Sequence, residues 1–230
     1  MCVHGSSLAA FIIGQRFCPL KPTALCPSTR ADGEPCKSIP WGQLLKAVYG
    51  QAWPAFPEAD LDRIPIPFDW LGLNYYTRAV VEAHPAAWPT GAIKVHNPRA
   101  TYTETQWEVY PQGLTETLQW MADRYGPIPL YVTENGAAFY DPPTAVNGKV
   151  DDPLRVEYLP EHLRAVGNAI DAGVDVRGYF AWSLFDNLEW SLGYAKRFGI
   201  VHVDFGTLER TVKASGRFYA GVVRAGGKGV

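Results

Sequence analysis

The hexapeptide YVTENG, residues 131–136, ends a short apolar run in a carboxylate. Residues 130–132 form the run, and Glu134 follows it two positions later. A carboxylate at the end of a buried strand is costly in free energy unless its charge is used or satisfied. Glu134 is therefore a candidate catalytic carboxylate. The alternative is a loop carboxylate that accepts hydrogen bonds from the turn at Asn135-Gly136, and the hexapeptide alone leaves both open.

Other polar and aromatic side chains lie toward the ends of predicted strands. Asn74 and Tyr76 end the first strand, and Trp182 lies in the third. The carboxyl ends of parallel strands meet at one edge of a sheet, so these side chains and Glu134 should converge there. The three predicted strands are Phe68–Tyr76, Pro129–Thr133 and Gly178–Leu184.

Helical spacing separates these strands. Leu114, Leu118, Met121 and Tyr125 predict one helix that stops before Gly126. A second helix is predicted from Leu159, Leu163, Val166 and Ile170, with Pro160 at its start and Gly173 as its terminating residue. Residues 78–105 and 137–154 are rich in Pro, Gly, Asn and Thr, which predicts loops. The alternation of strands and helices predicts an α/β fold, either a (β/α)8 barrel or a doubly wound sheet.

The composition indicates a packed globular protein with uncharged partners. The chain has 230 residues, of which 47% are hydrophobic, and a formal net charge of -2. This balance gives no field that would attract nucleic acid or an anionic membrane, and no apolar run approaches the roughly 18 residues of a membrane span. Eight tryptophans and twelve tyrosines fit either a large core or a carbohydrate-binding cleft.

Residues 1–40 show neither strand nor helix periodicity, and we expect them to be an unpatterned leader that is not part of the fold. The folded part would then occupy residues 41–230. The four cysteines lie in this leader without zinc-ligand spacing, so we expect no metal there. Residues 1–14 have no basic start and no clear cleavage site. A cytoplasmic location is therefore the expectation, with secretion left open.

Several hydrolase chemistries lack their motifs in this sequence. A G-x-S-x-G elbow is absent, and no cysteine follows Cys36, which argues against serine and cysteine nucleophiles. The five histidines are scattered singly, which argues against a metal hydrolase. We therefore expect no cofactor.

Four motifs in order, WLGLNYY, WEVYPQGL, YVTENG and FAWSLFDNLEWSLGYAKRFGIVHVDF, resemble the C-terminal half of glycoside hydrolase family 1, the β-glucosidase group. The resemblance covers about residues 41–225. It implies a partial (β/α)8 barrel, in which the three predicted strands are the sixth, seventh and eighth. It also implies a retaining mechanism and a small β-linked carbohydrate substrate.

The resemblance assigns roles to individual residues. Glu134 matches the nucleophile that forms a glycosyl-enzyme intermediate, about 5 Å from a second carboxyl group in retaining enzymes. Tyr76 matches the tyrosine that orients the nucleophile, with a core tyrosine as the alternative. Asn74 would line the same site.

Trp182, Glu189 and Trp190 resemble residues that bind the non-reducing sugar. A carboxylate at position 189 would accept from two hydroxyls and would repel a 6-phosphate, which argues against phosphoglycosidases. Phe198 falls where the family places an aromatic residue near the substrate, although a core phenylalanine fits equally. Asp186-Asn187 would brace the loop after the eighth strand.

One family motif is missing. The general acid/base lies in an Asn-Glu-Pro segment, and the nearest match here is Gly33-Glu34-Pro35, only 134 − 34 = 100 residues before Glu134. Three strands of eight would also expose sheet edges and favour self-association. We therefore expect an inactive fragment of a β-glucosidase. The alternatives are a non-catalytic sugar-binding remnant and a hydrolase of substrates with very good leaving groups.

Overall fold

The computed structural model describes residues 7–8, 49–52, 69–88, 91–228 and 230. The chain divides into two compact units. Within the described residues, the first unit contains 49–52, 80–88 and 91–96, and the second contains the remainder. The elements in chain order are β1 (Ser7–Leu8), β2 (Leu71–Asn74), β3 (Arg78–Ala79), β4 (Val81–Ala83), β5 (Ala92–Lys94), α1 (Gln112–Tyr125), β6 (Leu130–Asn135), α2 (Pro153–Asp171), β7 (Val176–Ala181), β8 (Val201–Val203), β9 (Arg210–Val212) and α3 (Ala214–Arg224), with short 3-10 turns at Gly50–Ala52 and Trp190–Leu192.

A parallel sheet in the order β2-β6-β7 holds the three predicted strands as neighbours. Leu71 pairs with Leu130, and Leu130 pairs with Val176, so all three strands start level. The register shifts after Leu73 on β2 and after Val132 on β6, so that Asn74 pairs with Glu134 and Asn135 pairs with Ala181 beyond these irregularities. The third strand, β7, ends at Ala181, earlier than predicted, and a cis peptide joins Trp182 to Ser183.

Helix α1 follows its predicted period. Leu114, Leu118 and Met121 are buried on one side, and Gly126 ends the helix with a positive φ of 81°. A glycine adopts that conformation without the steric penalty of a side chain. The prediction for this helix is confirmed.

Helix α2 begins earlier than predicted. Pro160 lies inside the helix, which starts at Pro153 after Asp152. The prediction of Pro160 as the first residue was wrong, because the buried face formed by Tyr158, Leu159 and His162 offsets the backbone hydrogen bond that Pro160 cannot donate. Gly173, with φ of 93°, follows the helix end as predicted.

Short antiparallel pairs complete the described structure. In the second unit β1 pairs with β3 and β8 pairs with β9, whereas the first unit contains the hairpin β4-β5. Residues 78–105, predicted as loop, therefore include three strands. Of the expected leader, only Ser7–Leu8 is described, and the rest of residues 1–40 lies outside the described residues.

The core of the second unit is formed by residues that follow β6, by residues of α2 and by residues at the start of β8. Its buried members are Ala137, Phe139, Tyr158, Leu159, Ile200 and Val201. Helix α3 contributes Phe218 and Tyr219 to this core. No helix among the described residues has both the length and the apolar content that crossing a membrane requires.

Candidate active site

A hydrogen bond joins Tyr76 and Glu134, the two residues predicted to take part in catalysis. The hydroxyl of Tyr76 donates to Oε2 of Glu134 at 2.7 Å. The backbone brings them together, because Asn74 is the register partner of Glu134 and the N–H of Tyr75 donates to the carbonyl of Glu134 at 2.9 Å. Burial, followed by the hydrogen bond to Glu134, raises the pKa of Tyr76, so the phenol keeps its proton and remains a donor.

Asn74 lies beside this pair at the end of β2. It is 4% exposed, and its side-chain oxygen accepts from the hydroxyl of Thr133 at 2.6 Å. This bond connects the ends of β2 and β6 and fixes the orientation of the amide.

The side chain of Asn135, the residue after Glu134, fixes the end of β6 through three hydrogen bonds. Its Nδ2 donates to the carbonyl of Tyr75 at 2.7 Å and to the hydroxyl of Tyr158 at 3.0 Å, and its Oδ1 accepts from Tyr179 at 2.6 Å. The side chain is fully buried. A buried amide with both donors and its acceptor engaged holds the backbone next to Glu134 in one position.

The residue after Asn135 brings Trp182 to the site. The N–H of Trp182 donates to the carbonyl of Asn135 at 2.8 Å. A side chain at Gly136 would overlap the carbonyl oxygen of Trp182, so only glycine permits this approach of β6 to the chain that leaves β7.

The rings of Trp107 and Phe198 pack against the ring of Tyr76. Trp107 lies 5.1 Å from Tyr76 and 6.0 Å from Phe198 between ring centroids, and Tyr76 lies 6.2 Å from Phe198. Phe198 is only 2% exposed, so it contributes to the site mainly through these two rings. Such tilted and edge arrangements fix ring orientation.

Glu189 couples electrostatically to the strand end. Burial raises the pKa of Glu189, the charge of Glu134 adds to that shift, and a side-chain hydrogen bond with Trp182 opposes it. Trp190 differs from the other candidates, because 87% of its surface is exposed and it makes no ring contact within the described part of the chain.

Trp107 and Asn135 are site neighbours that the sequence analysis did not single out. Both lie in motifs that carried the resemblance, Trp107 at the start of WEVYPQGL and Asn135 inside YVTENG. Among the described residues, no group of three or more His, Cys, Asp or Glu side chains could hold a metal ion. The arrangement thus presents one carboxylate held by a phenol, with aromatic walls and a second carboxylate nearby.

Comparison with known protein families identifies a match over most of the chain. The model of the family described as "Glycosyl hydrolase family 1" matches residues 41–228. A 1,4-β-D-glucan glucohydrolase of Thermotoga neapolitana is 41% identical over 170 residues, which cover 74% of this chain and 38% of that protein.

Solved structures give the same likeness. The AHE enzyme from Alicyclobacillus herbarius is 44% identical with a TM-score of 0.75, over 83% of this chain and 41% of that one. The family 1 β-glucosidase from Thermotoga maritima is 39% identical with a TM-score of 0.72, over 78% and 40%. The chain therefore spans about 40% of the length of these relatives.

Proposed function

The chain belongs to glycosyl hydrolase family 1, and from that premise we propose that its residues form the nucleophile side of a retaining β-glycosidase site that acts on β-glucosides or related β-glycosides. The family's structures imply a (β/α)8 barrel. In this proposal β2, β6 and β7 are the sixth, seventh and eighth strands of that barrel. The observation that carries the proposal is the 2.7 Å hydrogen bond from Tyr76 to Glu134.

The proposed chemistry begins at Glu134. Its Oε1 attacks the anomeric carbon, the bond to the leaving-group oxygen breaks with its electron pair, and a covalent glycosyl-enzyme ester forms. Tyr76 holds the other oxygen in place and so orients the attacking one. Water then cleaves the ester, and two inversions at the anomeric carbon give net retention.

We propose that Trp182, Glu189 and Trp190 bind the non-reducing sugar. Asn74 would line the same site beside Glu134. Charge-assisted bonds from sugar hydroxyls to Glu189 would fix the ring, and the indoles supply flat apolar surfaces. The link between Glu189 and Trp182 supports a shared role. The rings of Phe198 and Trp107 pack against the ring of Tyr76 and restrict its orientation.

The general acid is the component that we propose this sequence does not supply. An Asn-Glu-Pro segment is absent, and Glu34, in the only Glu-Pro segment with a comparable pattern, lies outside the described residues. Loss of a general acid/base typically lowers a rate by a factor of roughly 10² to 10⁴. We therefore expect the 230 residues alone to hydrolyse nitrophenyl β-glucoside no faster than the Glu134→Gln variant.

A reagent that needs no acid tests the nucleophile directly. Dinitrophenyl 2-deoxy-2-fluoro-β-glucoside has a leaving group that departs without a proton, and its glycosyl-enzyme ester persists. We expect the unaltered chain to gain the mass of one fluoroglucosyl group, located at Glu134 by peptide mass spectrometry.

Two controls make the test decisive. Glu134→Gln should gain no mass, because an amide cannot form the ester, and Glu104→Gln should label as the unaltered chain does. Labelling at another residue, or an equal gain in Glu134→Gln, would contradict the proposed nucleophile. Glucose binding by calorimetry without any labelling would instead support a sugar-binding remnant.

A further inference from the structure

Six charged side chains in the second unit form a connected and balanced network. Its members are Asp141, Asp152, Asp186, Arg155, Arg197 and Lys213. Five of these side chains are at most 1% exposed, and that of Arg197 is 15% exposed. Three negative and three positive charges offset one another, which is the condition under which buried charges are tolerated.

Lys213 is the junction of this network. Its Nζ donates to Asp141 at 2.5 Å and to Asp186 at 2.9 Å. Burial and the charge of Arg155 lower the pKa of Lys213, whereas its two carboxylate partners oppose that shift. Burial would raise the pKa of Asp186, but Lys213 and Arg197 outweigh burial and lower it. We take both groups as charged, because each has an opposite charge within hydrogen-bond distance.

Asp186 uses both oxygens to hold the chain on either side of Phe198. Oδ1 accepts from the backbone N–H of Gly199 at 3.0 Å, and Oδ2 accepts from the side chain of Arg197 at 2.7 Å and the N–H of Val203 at 3.2 Å. Arg155 adds a third hold, since its Nη2 donates to the carbonyl of Arg197 at 2.8 Å. The residues before and after Phe198 are therefore both fixed by buried charges.

Phe198 in turn contacts the rings that surround the candidate nucleophile. It lies against Tyr76 and Trp107, and Tyr76 donates to Glu134. We propose that Asp186, held by Lys213 and Arg197, is a positioning residue that sets Phe198 and, through the packed rings, the orientation of Tyr76 toward Glu134. This inference rests on the proposed function only for its catalytic consequence. The geometric link stands on the contacts themselves.

Asp152 provides a matched control within the same network. It is equally buried and ionic, but it joins Arg155 to the start of α3, where it accepts from the backbone N–H of Ser215 at 2.9 Å and contacts the Ser215 hydroxyl. It makes no hydrogen bond to residues 197–199 within the described part of the chain. Asp152 reaches residue 197 only through Arg155, which keeps its bonds to Asp141 when Asp152 is changed. A change at Asp152 should therefore disturb stability but move Phe198 far less than a change at Asp186.

The experiment compares Asp186→Asn with Asp152→Asn in the whole chain containing 5-fluorotryptophan. Each change replaces an accepting oxygen by an NH₂ group that cannot accept from the surrounding donors. The ¹⁹F signals of Trp107 and Trp120 are assigned with Trp107→Phe and Trp120→Phe. Trp120, whose ring contacts Tyr125 on α1, reports whether the chain is folded.

We expect both variants to melt at lower temperature, but only Asp186→Asn to shift the Trp107 signal by more than its line width. The Trp120 signal should stay in place in both. An unmoved Trp107 signal in Asp186→Asn, or an equal shift in Asp152→Asn, overturns the proposal. If Asp186→Asn does not fold, the test uses Arg197→Gln, which changes a partly exposed partner of Asp186. This variant should likewise shift the Trp107 signal by more than its line width, and an unmoved signal overturns the proposal.

The catalytic consequence has a separate measurement. Fluoroglucoside labelling at Glu134 should be slower by about tenfold or more in Asp186→Asn with an unchanged half-saturating concentration, because a misplaced reacting group lowers the rate at saturation. Asp152→Asn should label as the unaltered chain does. If the unaltered chain does not label, the proposed function fails, while the ¹⁹F comparison still decides the positioning role.

Discussion

The end of β6 and the segment 187–194 are both assigned to the proposed site, yet they are built differently. At the end of β6, Asn135 is fully buried and Glu134 accepts from Tyr76. In the segment 187–194, Leu188 is 58% exposed and Trp190 is 87% exposed. The first region is fixed by buried hydrogen bonds, and the second presents apolar side chains to solvent.

The difference separates two requirements of a glycosidase site. Orientation of a reacting carboxylate depends on buried groups that have no alternative partners. Sugar recognition depends on surfaces that must remain accessible. In this chain the orienting groups at the end of β6 are buried, whereas Leu188 and Trp190 are exposed. Substitutions at the end of β6 should therefore affect folding far more than substitutions in 187–194.

The largest expected effect is at Gly136. Gly136→Ala places a methyl group on the carbonyl oxygen of Trp182, and separating β6 from that backbone should lower the free energy of unfolding by about 4 kcal/mol or more. Gly167→Ala, in α2, is the matched control, because nothing lies within 4 Å of the added carbon. It should stabilise the chain by about 0.5 to 1 kcal/mol. Urea denaturation measures both, and similar midpoints for the two variants would refute the clash.

Asn135→Ala should have the next largest effect. It leaves the carbonyl of Tyr75 and the hydroxyls of Tyr158 and Tyr179 without their partner, at a total cost of about 3 kcal/mol. Asn187→Ala removes one bond at 3.3 Å to the carbonyl of Phe185 and should change stability by less than about 0.5 kcal/mol. Equal losses in the two variants would show that the contrast between the regions is wrong.

Acid should destabilise the buried region through His162, which stacks on Tyr158 at 3.8 Å. Burial lowers the pKa of His162 to about 4, and its Nε2 has no hydrogen-bond partner among the described residues. Its neighbouring titratable rings are Tyr75 and Tyr158, and burial raises the pKa of both. Both phenols are therefore neutral in acid.

Because the folded pKa of His162 is lowered, the unfolded chain binds the extra proton first. Stability is therefore complete above about pH 6.5 and is lost as pH falls toward 4, by about 2 kcal/mol between pH 7.5 and pH 5. His162→Leu should remove that part of the pH dependence, measured by urea denaturation at several pH values. The exposed His84→Leu serves as the control, and an unchanged slope in His162→Leu would exclude this origin.

Trp190→Ala should have the smallest effect on folding. Its ring is 87% exposed, so truncation should move the free energy of unfolding by no more than about 0.5 kcal/mol. Thermal unfolding monitored by circular dichroism measures this change. A loss of 2 kcal/mol would mean that the segment 187–194 is as firmly packed as the end of β6.

The elements of the second unit were largely readable from the sequence, because apolar periodicity and turn residues are local signals. The face of α1 with Leu114, Leu118 and Met121 is an example. On α2 the same logic failed in part, since the helix includes Pro160, buries the polar ring of His162 between Leu159 and Val166, and leaves Ile170 exposed. Pairings such as β8 with β9 were not predicted, because three-residue strands carry too little pattern.

The candidate site was readable only in part. The approach of Tyr76 to Glu134 followed from parallel strands and the motif resemblance. The contacts of Trp107 and the connection of Asp186 to Lys213, 27 residues later, depend on tertiary packing that no local pattern encodes. Membership of glycosyl hydrolase family 1 is shown by the match over residues 41–228, while the role of each site residue stays a prediction.

The six charges of this network, five of them buried, have an evolutionary consequence. Because three acids and three bases balance, any single replacement that removes one charge leaves an uncompensated partner, whereas a paired replacement restores neutrality. Mutational drift at these positions should therefore proceed by joint steps. A lineage that loses Lys213 is expected to lose the acid of Asp141 or Asp186 with it.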